Sequence, residues 1–211
     1  MSQQLSILCF GNSLTAGFYS YGLEYHPYAI KLKAHLEKEF PDLEVLTTVA
    51  GQPGDLVCPP GAFLSRIQMK CDNNHYDWVI FLGGTNDLGY GLESEKIYAG
   101  LQDSWDVVLQ SGAKVLSLTI PECQARIRNL DLRRLALNTL ILNHEVERYY
   151  AFDLCSKIPY HSSTEDFVKE IFDDGLHLTA KGYDLMGQLI GEHLAGILKA
   201  EIDGQAQNRD E

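Results

Sequence analysis

Apolar residues in this chain fall in short unbroken runs, separated by longer stretches in which they recur every three or four positions. The runs read as strands covered on both faces, and the longer stretches as the helices that cover them. Residues 5–10, 43–49, 78–82 and 113–120 predict four strands, and 150–154 a weaker fifth. Residues 27–40, 63–69, 93–110, 130–148 and 180–198 predict helices. In the first helix Ile30, Ala34 and Leu36 are expected to face inward, with Lys31, Lys33, Glu37 and Lys38 in water. Pro41-Asp42, Gly83-Gly84, Ser111-Gly112 and Pro121 stand where an element must stop.

Strand–helix alternation of this kind predicts a parallel sheet with helices on both faces, joined by right-handed crossovers. Five strands fit a flavodoxin-like three-layer α/β/α sandwich with strand order 2-1-3-4-5. No linker, repeat or low-complexity stretch divides the chain. A single domain over residues 1–200 is expected, followed by a polar, frayed tail over 201–211.

Composition narrows the partners. The formal net charge of −12 disfavours nucleic acid and anionic lipid, both of which need a basic face. No apolar run approaches the roughly 20 residues that cross a bilayer. Nor does the N-terminus read as a secretory leader. Cys9, Cys58, Cys71, Cys123 and Cys155 are scattered, with no CxxC pair to suggest structural zinc. Free thiols and a cytoplasmic location are the expectation.

In open parallel sheets, ligands bind beyond the carboxyl ends of the strands. Ser13 follows the first predicted strand, Gly54 the second and Asn86 the third, while Asp174 and His177 follow the fifth. All five therefore gather on one edge. Serine, histidine and aspartate are the parts of an activated nucleophile. Asp-x-x-His occurs twice, at Asp174–His177 and at Asp72–His75. The second pair precedes a strand, on the opposite edge, and reads as a surface turn. Asp173 is the runner-up carboxylate, and helix capping is the alternative role for Ser13. A Gly-x-Ser-x-Gly elbow, a dinucleotide Gly-x-Gly-x-x-Gly and a Gly-Lys-Ser/Thr phosphate loop are absent. No cofactor or metal is expected.

Gly11-Asn12-Ser13-Leu14, Pro53-Gly54, Gly84-Thr85-Asn86-Asp87 and Asp174-Gly175-Leu176-His177, in that order, resemble the four blocks of the SGNH, or GDSL-type, hydrolases. The resemblance spans residues 7–190. It implies Ser13 as nucleophile, His177 as general base and then acid, and Asp174 as the orienting carboxylate. It also implies an oxyanion hole from the backbone N–H groups of Ser13 and Gly54 and the amide of Asn86, with Gly51 as the fallback donor. Asn12, Val49 and Pro53 depart from the usual Asp, Asn and Ser.

The expected reaction is hydrolysis of a small uncharged carboxylic ester through an acyl-enzyme, faster as the imidazole loses its proton. Phe18, Tyr19, Tyr21, Tyr25 and Tyr28 are candidates to line a pocket, with 88–92 and 58–61 as rim loops. A non-catalytic ligand-binding module is the alternative, and a flavin or nucleotide protein a more distant one.

Overall fold

The computed structural model describes residues 3–207. Five strands form one parallel sheet: β1 (Gln3–Gly11), β2 (Leu43–Gly51), β3 (Trp78–Leu82), β4 (Lys114–Leu118) and β5 (Tyr149–Phe152). Their order is β2-β1-β3-β4-β5. The chain thus places its first two strands in reverse and steps outward from there, as expected.

Each strand's alternate side chains feed a different core. From β1, Leu5, Ile7 and Cys9 enter a cluster completed by Leu32, Leu36, Tyr183, Met186 and Ile190. Those partners come from α2 (Ala29–Glu39) and α9 (Ala180–Gln207). Leu8 and Phe10 enter the opposite cluster, with Phe63, Ile67, Trp105 and Ile141. That layer is built by α3 (Phe63–Asn73), α5 (Ser94–Gln110) and α6 (Arg128–Leu142). Ile7, Leu8, Cys9 and Phe10 are all fully buried, which is why β1 reads as an unbroken apolar run.

Several boundaries differ from expectation. In α2 the inward stripe is Ala29, Leu32 and Leu36, whereas Ile30 and Ala34 are exposed. Ile30 lies two positions from Leu32, about 200° around the helix at 3.6 residues per turn, so both cannot face the sheet. α6 stops at Leu142 instead of continuing to 148, because residues 143–148 turn to feed β5. There His144 enters a cage of Tyr98, Trp105 and Tyr149 and meets the Tyr98 hydroxyl at 2.8 Å through Nδ1. The last helix continues through Gln207 into the stretch expected to fray, and residues 208–211 lie outside the described residues. Short helices α1 (Ser13–Ala16), α4 (Thr85–Gly89), α7 (Leu154–Lys157) and α8 (Glu165–Ile171) occupy connections read as loops. A two-strand hairpin, Phe18–Tyr19 with Glu24–Tyr25, was likewise not predicted. Among the described residues, no helix is long and apolar enough to cross a membrane.

Burial holds the His144 imidazole below its ordinary pKa. The unfolded chain then binds the proton at a higher pH than the folded chain, near the ordinary value of about 6.5. Stability should therefore fall as pH drops through that value toward the folded one. His144→Phe is expected to make the dependence of Tm on pH between about 7 and 5 shallower, with His193, also held low by burial, left to supply the rest. An unchanged slope would assign the acid sensitivity elsewhere.

Candidate active site

β1 ends at Gly11 and the chain turns directly into α1. Asn12 caps that helix: its side-chain oxygen accepts from Leu14 N at 3.1 Å, and its carbonyl accepts from Thr15 N and Ala16 N. The capping role open to Ser13 thus belongs to its neighbour, and the Ser13 hydroxyl is left for other work. Asn12 needs no negative charge to do this, since an amide oxygen caps as well as a carboxylate. Gly51 ends β2 where α1 crosses it. A Cβ there would lie 2.1 Å from Ala16 N, so this glycine serves close approach.

The second half of the site arrives 160 residues later, in the connection before α9. Asp174 Oδ1 accepts from the backbone N–H of Leu176 at 3.0 Å and of His177 at 2.8 Å. Gly175 adopts φ 81°, a backbone conformation that favours glycine, and its carbonyl accepts from Gln124 N. The turn this creates aims His177 Nδ1 at Asp174 Oδ2, 2.8 Å away. On the other side of the ring, Nε2 lies 3.0 Å from Ser13 Oγ. An ionised carboxylate only accepts, so Nδ1 donates to it and Nε2 offers a lone pair to the serine hydroxyl. Burial alone would raise the Asp174 pKa, but hydrogen bonds from the His177 ring and from two backbone amides outweigh it and hold the carboxyl below its usual range.

Asp173 turns away: its Oδ2 accepts from Ser20 N at 2.8 Å, fastening the hairpin that follows α1. Asp72 lies on α3, hydrogen-bonded to Gln68, and His75 is exposed beside Asp77. Neither approaches the Ser13 edge.

Asn86 sits in the first turn of α4, just beyond β3. Its Nδ2 donates to the Asp55 carbonyl at 2.8 Å, which fixes the amide and leaves its second N–H undirected by that bond. Gly54 lies next to Asp55 at φ 78°, with open space where a Cβ would stand. The Asp55 side chain is buried and meets the Arg66 guanidinium at 2.5 Å. Arg66 also donates to the carbonyls of Gly11 and Ala50, tying together the carboxyl ends of β1 and β2. Asp87, fully buried, accepts from Val57 N and Cys58 N at 3.0 and 2.9 Å. The loops after β2 and β3 are therefore laced into one piece. Asp55, Arg66 and Asp87 were not singled out from sequence. Asp87 closes the third block and Asp55 directly follows the second, but neither was given a role.

The aromatic cluster divides. Phe18 packs its ring against His177, with centroids 4.5 Å apart. Tyr28 is fully buried in the core under α2, and Tyr21 and Tyr25 are exposed. Tyr19 is hydrogen-bonded to Glu24 within the hairpin. Of the expected rim loops, 88–92 borders a cavity of about 460 Å³ through Leu88, Gly89 and Tyr90. Cys58, in the other, is buried and held by Asp87.

A serine, an imidazole and a carboxylate thus stand in hydrogen-bonded series at the carboxyl edge of a flavodoxin-like sheet, and Asn86 borders the same cavity as that carboxylate. The chain belongs to the GDSL-like Lipase/Acylhydrolase family, whose model matches residues 9–185. No curated protein matches it. Its fold is similar to that of a member of the lipolytic protein G-D-S-L family from Veillonella parvula, at 21% identity and TM-score 0.72 over 89% of this chain and 97% of that one. A lipase/acylhydrolase from Enterococcus faecalis aligns at 21% identity and TM-score 0.69, over 91% and 96%. A carbohydrate acetylesterase family member from Sinorhizobium meliloti aligns at 17% identity and TM-score 0.68, over 92% and 99%.

Proposed function

We propose that the protein is a serine hydrolase of small, uncharged carboxylic esters, acting through an acyl-enzyme on Ser13. The single observation that carries this reading is the continuous series Ser13 Oγ–His177 Nε2–Asp174, at 3.0 and 2.8 Å. His177 takes the Ser13 proton as Oγ attacks the ester carbonyl. The tetrahedral intermediate places a negative charge on the carbonyl oxygen. The free N–H of Asn86 and the backbone N–H groups of Ser13 and Gly54 are the donors proposed to receive it. Collapse expels the alcohol, protonated by His177. Water, activated by the same imidazole, then releases the acid and restores the serine.

A panel of 4-nitrophenyl esters of graded acyl length tests the reading, with the shorter acyl groups expected to turn over fastest. Failure to hydrolyse any ester, together with no covalent labelling of Ser13 by a fluorophosphonate, would favour a ligand-binding module. Asn86→Ala is expected to lower kcat by about 10²–10³ with KM little changed, because its donor acts on charge that appears only in the transition state. A kcat within about threefold of wild type would remove Asn86 from the oxyanion hole.

A further inference from the structure

The cavity of about 460 Å³ adjoins the Asp174 end of the Ser13–His177–Asp174 series. Asn86, Asp174 and Leu176 border it, and Leu88, Ile120 and Leu130 give it an apolar wall. One group is out of keeping with that wall. Arg134, on α6, stands with a side chain only 7% exposed between this cavity and a second one of about 360 Å³ bordered by Glu122 and Asp131.

A guanidinium carries five N–H donors. Its partners here are the Asp131 carboxylate and the Cys123 sulfur, the latter at 3.9 Å. A thiol is a weak acceptor, so among the described residues the Arg134 N–H groups other than those on Nη2 meet no strong acceptor. Thr85, on the same cavity wall, buries its hydroxyl without a partner. An unpaired buried hydroxyl is costly, whereas the remaining Arg134 N–H groups are open to a ligand that enters beside them.

Charge decides what would meet them. Asp131 offsets the charge of Arg134, and Asp174 borders the same cavity. An anionic group would gain the guanidinium but meet two carboxylates. A neutral oxygen gains the hydrogen bond without that opposition, and the apolar wall covers the carbons that carry it.

Resting on the ester-hydrolase reading, we propose that Arg134 is a specificity-determining residue. The cavity takes the half of the ester that carries an uncharged acceptor oxygen, such as a hydroxyl, ether or carbonyl, in preference to a plain hydrocarbon chain or an anion.

Two pairs of esters isolate that oxygen. 4-Nitrophenyl pentanoate and 4-nitrophenyl 3-methoxypropanoate exchange one CH₂ for O in the acyl chain. Butyl acetate and 2-methoxyethyl acetate make the same exchange in the alcohol. Each kcat/KM is divided by the rate of hydroxide-catalysed hydrolysis. The expected result is a preference of about tenfold for the ether member of one pair, collapsing below about threefold in Arg134→Met while the hydrocarbon member is hydrolysed as before. A residue that merely supported the fold would lower both members together. Equal rates within both pairs for the wild type, or a preference that survives in the variant, overturns the proposal. Equal wild-type rates overturn the proposal even where Arg134→Met does not fold; where the wild type shows the preference, Arg134→Gln is the second variant, in which the preference must fall below about threefold or the proposal is overturned.

If no ester is hydrolysed, the ester-hydrolase reading falls and the cavity is judged by binding. The Nε–H signal of Arg134 in protein labelled with ¹⁵N-arginine is followed while 2-methoxyethanol or butanol is added at equal concentration. A shift with the ether alcohol alone sustains the subsite. No shift, or the same shift with both, rejects it.

Discussion

Ser13→Ala is expected to reduce kcat/KM for a 4-nitrophenyl ester by about 10⁶, the scale on which loss of the nucleophile removes serine-hydrolase catalysis. The fold should survive. Asn12, and not Ser13, satisfies the N-terminal amides of α1, through its side chain to Leu14 and its carbonyl to Thr15 and Ala16. The Ser13 side chain is bonded to His177, and no other side-chain bond of Ser13 appears among the described residues. Alanine removes that oxygen and adds no bulk. A Tm within a few degrees of wild type, with fluorophosphonate labelling abolished, is the expected companion result. Full activity in a folded Ser13→Ala protein would end the nucleophile assignment. Loss of activity with loss of fold would not support it, so unfolding and turnover must be measured on the same preparation.

The sequence carried the sheet well because parallel strands buried on both faces have no polar alternation to hide them. Trp78–Leu82 is buried at every position and its bounds were read without error. The carboxyl-edge convergence of Ser13, Gly54, Asn86, Asp174 and His177 followed from that order alone. What the pattern did not hold is contact made at long range. Helix α6 looked six residues longer at its C-terminal end than its packing allows, because the turn after Leu142 is drawn off by the aromatic cage around His144. Ile30 and Leu36 both look like inward residues until α9 fixes which face of α2 is covered. Arg66 reads as an ordinary polar position of an amphipathic helix. Its part in joining Gly11, Ala50 and Asp55 depends on two strand-end carbonyls and a loop carboxylate that only the fold brings together. The hairpin after α1 was missed for a related reason. Its strands are two residues long, and its fastening to Asp173 spans 153 positions.

Two adjacent carboxylates offer the sharpest test of how the imidazole is held. Asp174→Asn is expected to lower kcat by about 10⁴, while Asp173→Asn stays within about tenfold of wild type. Asp174 uses one oxygen for the amides of Leu176 and His177 and the other for His177 Nδ1. An asparagine can keep only one acceptor oxygen. If that oxygen holds the two amides, its NH₂ faces Nδ1, the ring must accept there, and the proton moves to Nε2. The imidazole then presents a donor to Ser13 where a base is needed. Among the described residues the Asp173 side chain accepts one hydrogen bond, from Ser20 N, which an amide oxygen replaces, and its backbone bond to the His177 carbonyl is untouched. Stability gives an independent readout of the same carboxyl. Its pKa is depressed in the folded chain, so its contribution is present above the ordinary value of about 3.9 and is lost as pH falls through the folded one. The Tm of Asp174→Asn should therefore lie below wild type near neutrality and approach it in acid. A large loss of kcat in Asp173→Asn with little in Asp174→Asn would reverse the two assignments and require the turn at Gly175 to rearrange when substrate binds.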